Sequence, residues 1–292
     1  MIDFGLTDDE QAVIEAATKV AVDPDPWNAL AEGGWLDLLI TNPDSGLHYL
    51  GLVAEQLGWA GTALPVPGTA AVWPTLFGEA LSGQRVGVVD GGLGEDSVDA
   101  DLVVILTDRH ALAYDRFTVE RVGGLDGDGL ARVAVEGDPV AVADDPTRVA
   151  LARLRAAALA AAEMAGAMKR VAQMTAHYAA ERQQFGRTIS SFQVVQHGIA
   201  RLTILSEAAT WLSRLAYCEP EPAHVHAAKG WVSAASVEAS AVAHQLHGAV
   251  GFTEEYGLQH FTKRLRILRF AWADDRTHYV ALGRRRTIES AS

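Results

Sequence analysis

The stretch ERQQFGRTISSFQ, residues 181–193, interrupts a chain that is otherwise rich in alanine and helical in pattern. Arg182 falls where one helical pattern ends, and Gly186 lets the chain turn. An arginine there presents a planar set of donors that suits a phosphate or a carboxylate. Gln193 lies in the first turn of the next predicted helix, whose free N–H groups favour an anion. The segment predicts either an anion-binding turn with Phe185 against an apolar ring, or a capping arginine with a core phenylalanine.

The sequence on both sides of this stretch predicts a helical bundle. Strong helix formers fill the segment before it, and the segment after Ser190 and Ser191 has apolar residues at steps of three and four from Val195 to Ala216. Short connections between such helices are typical of an antiparallel four-helix bundle. We expect the Val195–Ala216 stripe to meet a partner of similar fold. The four predicted helices cover approximately residues 149–182, 192–216, 223–246 and 256–267.

The first half of the chain has a different character. Residues 3–80 have the spacing of short helices broken by prolines, and residues 84–140 contain short β-branched runs bounded by glycine and aspartate. No glycine motif of the dinucleotide-binding type lies between a strand and a helix. The predicted class is mainly α with a small β-domain, divided into an N-terminal helical domain (1–82), a small β-domain (83–145) and a C-terminal four-helix bundle (146–292).

Charge and composition exclude some classes of function. The net charge of −13 argues against a nucleic-acid partner, and no apolar run is long enough to predict membrane insertion. Residues 1–150 carry 26 acidic and 7 basic side chains, and the remaining residues carry 11 and 17. The second half is therefore the one expected to meet an anion. The single cysteine, Cys218, and the absence of a signal-peptide pattern favour a cytoplasmic location.

A second polar cluster lies in HQLHGAVGFTEE, residues 244–255. Gln245 and Gly248 stand at the predicted end of the third helix of the bundle, and glycine there allows a close approach of backbone or of a flat ligand. His244, His247 and His260 lie nearby without the spacing of a metal site. Capping and packing explain these histidines better, so no metal is predicted.

Together the two clusters resemble the C-terminal domain of acyl-CoA dehydrogenases. The matching pattern is Arg-x-x-Phe-Gly-x-x-Ile-x-x-Phe-Gln, followed by Gln-x-x-Gly-x-x-Gly-Phe. The order of segments, a helical N-terminal domain, a reduced middle β-domain and a four-helix bundle, is similar to the family's as well. The resemblance implies FAD as the cofactor, with the arginine at the pyrophosphate and the glutamines and glycine at the adenosine end, reached across a subunit interface. The cofactor candidates are Arg182, Phe185, Gln193, Gln245 and Gly248.

The family's catalytic base has no clear counterpart. In the family a glutamate removes the α-proton of the acyl thioester. The resemblance puts this glutamate at or near Ala273 or, in some members, near Ala156 on the first bundle helix. Alanine carries no proton chemistry, so neither position predicts a catalytic residue. Asp274 and Asp275 are the acidic residues near the expected base, and adjacent aspartates also commonly cap helices.

The chain therefore resembles the shortened, non-catalytic subunit of heterotetrameric acyl-CoA dehydrogenases of actinobacterial steroid degradation. Such a subunit supplies FAD contacts while a second acyl-CoA dehydrogenase-like subunit supplies the glutamate, in an α2β2 assembly. The implied reaction is oxidation of a bulky, steroid-derived acyl-CoA to the 2,3-enoyl-CoA, with electrons passed to an electron-transfer acceptor. Two alternatives are a self-sufficient homo-oligomer that uses Asp274 or Asp275, and a flavin-free scaffold of the same fold.

Overall fold

The N-terminal part of the chain forms short helices around a buried core, as the sequence predicts. The computed structural model describes residues 6–289 apart from 82, 93, 96 and 123–129. Helix α1 begins with a capping box, in which Thr7 and Glu10 satisfy each other's backbone N–H groups. Glycine and proline end these helices. The helices are α1 (Asp8–Ala21), α2 (Pro26–Glu32), α3 (Leu38–Thr41), α4 (Gly46–Ala60) and α5 (Trp73–Phe77), with 3₁₀ and π turns at Trp35–Asp37 and Pro67–Val72.

The middle of the chain forms one seven-stranded sheet. Its spatial order is β5-β6-β2-β1-β3-β4-β7, and β1 pairs with β3 in parallel while the other pairs are antiparallel. The sequence predicted four of these strands, β1, β3, β4 and β6. The three that it missed are two or three residues long or half exposed. The strands are β1 (Val86–Asp90), β2 (Gly94–Glu95), β3 (Leu102–Leu106), β4 (Ala111–Tyr114), β5 (Phe117–Arg121), β6 (Leu130–Val135) and β7 (Ala141–Ala143).

The remaining chain is helical and forms the C-terminal bundle. Asp145 caps the first and longest helix by accepting hydrogen bonds from two backbone N–H groups, with Pro146 in its first turn. The 3₁₀ turns Ile189–Ser191 and Gly248–Phe252 precede α7 and follow α8. The bundle elements are α6 (Pro146–Glu181), the hairpin strands β8 (Gln183–Gln184) and β9 (Arg187–Thr188), α7 (Gln193–Cys218), α8 (Pro222–His247), α9 (Leu258–Phe270) and α10 (Asp275–Glu289).

Close backbone contact joins the N-terminal helices to the bundle. A Cβ added to Gly58 of α4 would overlap the carbonyl oxygen of Glu163 on α6, and one added to Gly166 of α6 would overlap that of Glu55 on α4. Only glycine lets the two helices cross at this distance. This crossing places α4 along the buried, alanine-rich centre of α6.

The apolar stripe of α7 lies inside the bundle. Leu202, Leu205 and Ala209 are buried against neighbouring helices of the same chain. The expectation that the Val195–Ala216 stripe meets a partner is therefore wrong, because this apolar face packs into the core of its own chain. Val194, Ile204 and Trp211 of α7 are exposed apolar residues that do not belong to the buried stripe.

Candidate functional site

Three helix ends meet at one end of the bundle and bring the two predicted clusters together. The Tyr178 ring of α6 stacks on the His247 ring of α8, with centroids 4.6 Å apart. Near the start of α7, a Cβ added to Gly198 would lie 2.9 Å from a methyl carbon of Leu246 on α8. The end of α6, which carries Arg182, thus lies beside the start of α7 and the end of α8.

The stretch after Arg182 forms a short hairpin that the sequence predicted only as a turn. Strands β8 and β9 pair across Phe185, which has φ 54°, and Gly186, which has φ 78°. The ring of Phe185 is 90% exposed and meets Phe192 edge-on at 6.1 Å, so its core alternative is wrong. The guanidinium of Arg187 lies 4.1 Å from the Phe192 ring centroid. The hairpin therefore displays an aromatic ring to solvent.

The polar groups of the predicted cofactor site are exposed and unused. Within the described residues, the side chains of Arg182, Gln193 and Gln245 make no hydrogen bond or ion pair. The backbone of Arg182 caps α6, since its N–H donates to the Tyr178 carbonyl. No side chain caps the start of α7, although two serines precede it. Open N–H groups at a long helix and a free guanidinium suit an anionic group such as a pyrophosphate.

The two glycines of this end leave room for a ligand. Gly248 ends α8 with φ 60° and ψ −141°. A Cβ added to Gly248 or to Gly186 would have no other atom within 4 Å. Phe252 is exposed and stacks on His244, with centroids 4.4 Å apart. The residues that face outward here, a guanidinium, two amides, a bare backbone and two aromatic rings, fit the chemistry of FAD's phosphates and rings.

The histidines of this end are packing residues, as the sequence predicted. His247 donates from Nδ1 to the Ala243 carbonyl at 2.8 Å, and His244 Nε2 lies 2.9 Å from the Thr262 hydroxyl. Burial lowers the pKa of both imidazoles, which favours the neutral form. Nε2 of His247 and Nδ1 of His244 are buried without a partner among the described residues. Both rings are therefore held by hydrogen bonds and ring contacts within the chain.

A turn between α9 and α10 occupies the region of the expected catalytic base. Trp272 and Ala273 have φ 57° and 77°, a left-handed conformation that is unfavourable for residues other than glycine. The ammonium of Lys229, fully buried on α8, donates to the carbonyls of Arg269 and Ala273, each at 3.2 Å. A ring nitrogen of His278 donates to the Trp272 carbonyl at 2.9 Å. These bonds hold the strained turn in one conformation.

Both aspartates of this turn accept hydrogen bonds from within the chain. Asp274 accepts hydrogen bonds from the backbone N–H and hydroxyl of Thr277, and the hydroxyl bond, followed by the backbone bond, lowers the pKa of its carboxyl group. Asp275 accepts two hydrogen bonds from the guanidinium of Arg269. Ala156, at the other expected base position, is fully buried in the core. The geometry gives the two aspartates structural roles.

Sequence reasoning missed three supporting residues. Arg187 lies within the quoted stretch, but only the hairpin brings it to the ring of Phe192. Lys229 and His278 are distant in sequence from Ala273, and a lysine in an apolar helical pattern was the one available signal. A charged side chain that is buried needs hydrogen-bond partners, and backbone carbonyls are among those that hold Lys229.

This geometry agrees with comparisons to known proteins. Residues 147–272 match the family model described as acyl-CoA dehydrogenase, C-terminal domain. The chain is 31% identical over 226 residues to acyl-CoA dehydrogenase IpdE2 of Mycobacterium tuberculosis, covering 73% of this chain and 70% of that protein. The chain therefore belongs to the acyl-CoA dehydrogenase family.

Two solved structures share the fold at low sequence identity. The ChsE4-ChsE5 complex from Mycobacterium tuberculosis superposes with a TM-score of 0.79 at 17% identity, covering 97% of this chain and 98% of that chain. The Tcur3481-Tcur3483 steroid acyl-CoA dehydrogenase G363A variant superposes with a TM-score of 0.81 at 18% identity, covering 98% and 99%. The predicted class, mainly α with a small β-domain and a C-terminal bundle, is confirmed.

Proposed function

We propose that this chain is the non-catalytic subunit of an FAD-dependent acyl-CoA dehydrogenase. It contributes contacts to FAD across a subunit interface, and a second acyl-CoA dehydrogenase-like subunit supplies the catalytic glutamate. FAD, when bound, accepts the hydride that leaves the β-carbon of the acyl thioester. The observation that carries this proposal is a contrast within one chain. The end of the bundle that carries Arg182 has unused, outward-facing polar groups, whereas both expected base positions hold alanine.

Each cofactor residue has a distinct role in this proposal. The guanidinium of Arg182 and the N terminus of α7 at Gln193 bind the pyrophosphate, which is the doubly anionic part of FAD. Gln245 donates to the adenosine end, and the bare backbone of Gly248 lets that end approach closely. The exposed ring of Phe185 packs against an apolar part of the cofactor or of the partner. None of these groups removes a carbon-bound proton, which requires a base within hydrogen-bond reach.

Exposed apolar residues of α7 support a protein partner at the same site. Val194, at the start of α7, is 76% exposed, and Ile204 and Trp211 continue along the helix. Of these residues, Val194 is adjacent to Gln193. A subunit that covers the start of α7 and Val194 would therefore also reach the proposed cofactor site. We propose an α2β2 heterotetramer.

The substrate class in this proposal is a bulky, steroid-derived acyl-CoA, oxidised to the 2,3-enoyl-CoA, with electrons passed on to an electron-transfer acceptor. The support is the fold shared with a structure described as a steroid acyl-CoA dehydrogenase, together with the sequence relationship to IpdE2.

The test compares this chain alone with the pair obtained by co-expression with a second acyl-CoA dehydrogenase-like subunit. Acyl-CoA oxidation is followed with an artificial electron acceptor, and the flavin-to-chain ratio is measured by absorbance. We expect no turnover by the chain alone, turnover by the pair, and one flavin per two chains. Because a shared site is completed only by its partner, the isolated chain should also retain little flavin.

Three outcomes would contradict the proposal. Turnover by the isolated chain at the rate of the pair would favour the homo-oligomer that uses Asp274 or Asp275. One flavin per chain in the active enzyme would argue against a site shared by two chains. A pair that binds no flavin would favour the scaffold.

A further inference from the structure

A cavity of about 290 Å³ lies between α1, α4, α6 and α7, away from the proposed cofactor site. Gln173 is the lining residue of α6 nearest in sequence to Arg182, and nine residues of helix separate the two, or roughly 13 Å at 1.5 Å per residue. The family resemblance assigns nothing to this cavity. Its walls are contributed by both the N-terminal helices and the bundle.

Two amide side chains line the cavity, and the orientation of one of them is fixed. The Trp59 indole N–H donates to Oε1 of Gln173 at 2.8 Å, which leaves the NH₂ group of Gln173 without an acceptor within the described part of the chain. The Thr18 hydroxyl donates its one proton to the Ile14 carbonyl at 2.7 Å, so its 3.1 Å contact with Gln56 does not determine which end of that amide faces the cavity. The cavity therefore offers one oriented hydrogen-bond donor, the NH₂ group of Gln173.

The charges that line the cavity leave one positive charge uncompensated. Arg214 forms a two-pronged ion pair with Glu55, at 3.1 and 3.0 Å, and the Tyr217 hydroxyl also donates to Glu55 at 2.7 Å. Lys169, which is exposed, has no ion-pair or hydrogen-bond partner among the described residues. The uncompensated ammonium and the amide donor of Gln173 favour an anion at this position.

The rest of the wall is apolar. Leu6, Ile14 and the indole of Trp59 line the cavity, so a bound anion would have hydrocarbon contacts as well as donors. A multiply charged phosphate would need more than the one uncompensated cation. We infer that this cavity binds a small monocarboxylate with a hydrocarbon body, held by Lys169 and Gln173. The inference does not rest on the proposed cofactor site.

The test is a saturation-transfer NMR titration of the purified full-length protein with hexanoate as the probe. We expect saturable binding at one site per chain with a Kd on the order of 1 mM, as fits a ligand of this size. Lys169→Met should raise the Kd at least about tenfold because it removes the charge and keeps the length of the side chain. Lys19→Met removes the same charge from the exposed side of α1, outside the cavity wall, and should leave the Kd unchanged.

Two further probes and one further variant sharpen the result. Hexylamine and inorganic phosphate should not compete with hexanoate, and Gln173→Glu should weaken hexanoate binding by placing a carboxylate beside it. The inference is overturned if hexanoate does not saturate or if Lys169→Met binds it as the unaltered protein does. Equal competition by hexylamine or by phosphate would overturn it too. Flavin content measured in the same samples keeps this result separate from the proposed function.

Discussion

The end of the bundle that carries Arg182 and the turn that carries Ala273 use their polar groups in opposite ways. At the first, a guanidinium and two amides face solvent without a partner in the described structure. At the second, Lys229 and His278 donate to backbone carbonyls of the turn. Exposed donors at a helix junction remain available to a ligand, whereas the donors around the strained turn are already used within the chain. Four predictions test this difference, from the largest expected effect to the smallest.

The largest effect is expected at the ion pair that links the helices carrying these two regions. Glu163 of α6 and Arg264 of α9 are both buried, with contacts of 2.6 and 3.1 Å. Arg264→Met would leave the carboxylate buried without its main partner, so we expect the free energy of unfolding to fall by about 3–5 kcal/mol. Denaturant unfolding measures this change.

The matched control for this prediction is Arg201→Met. Arg201 pairs with Glu238 in the same two-pronged way on the surface, at 2.6 and 2.8 Å. Because solvent screens exposed pairs, its loss should have a much smaller effect. Equal destabilisation by the two changes would show that burial does not decide the strength of the internal pair.

The second prediction concerns pH and the strained turn. Burial, with a smaller contribution from the charge of Lys229, lowers the pKa of His278 to about 4. In the unfolded chain the pKa is about 6.5, so between these values the unfolded state binds a proton that the native state does not. The contribution of neutral His278 to the free energy of unfolding should therefore be fully present above pH 6.5. The free energy of unfolding should fall by roughly 3 kcal/mol as the pH decreases to 4.

Unfolding free energies at a series of pH values measure this loss. In His278→Gln, which keeps a donor for the Trp272 carbonyl, the free energy of unfolding should depend less steeply on pH. The same change at His177, which is exposed on α6, should leave the slope as it was. An unchanged slope in His278→Gln would mean that other groups cause the acid sensitivity.

The third prediction concerns the exposed end. Arg182→Lys keeps the charge and loses the planar pair of donors, so flavin affinity in the assembled pair should fall about tenfold. Thermal stability of the chain itself should not change, because the exposed side chain makes no hydrogen bond or ion pair within the described structure. Flavin retention by the pair, compared with an Arg276→Lys control on α10, measures the effect. Unchanged affinity would remove Arg182 from the site.

The smallest effect is expected at the two aspartates. Asp274→Asn and Asp275→Asn, singly and together, should leave turnover of the pair within about twofold, since both carboxylates are held by hydrogen bonds within the chain. Asp274→Asn weakens a helix cap and should lower the free energy of unfolding by at most about 1 kcal/mol. A loss of several orders of magnitude in rate would instead identify a base in this chain.

The sequence predicted the elements whose signal is local. The long alanine-rich helix and the strands rich in β-branched residues were predicted from neighbouring residues. The family was recognised in the same way, from Arg182 to Gln193 and from Gln245 to Phe252, because each motif lies within one short stretch. The short strands β2 and β7 were missed, since pairing with neighbours rather than composition defines them.

Only the tertiary structure decided which surfaces are internal. An amphipathic stripe specifies that a helix face is buried but not against which neighbour, and the Val195–Ala216 stripe is used within the chain. The same holds for charge, because the sequence does not show that the ammonium of Lys229 is buried against two backbone carbonyls. The sequence by itself predicted which groups the chain could use to bind an anion, and it shows alanine at both positions expected for the base. The structure determined which of those groups remain exposed. Packing brings together residues that are far apart in the chain, and some of their donors then form hydrogen bonds within the chain.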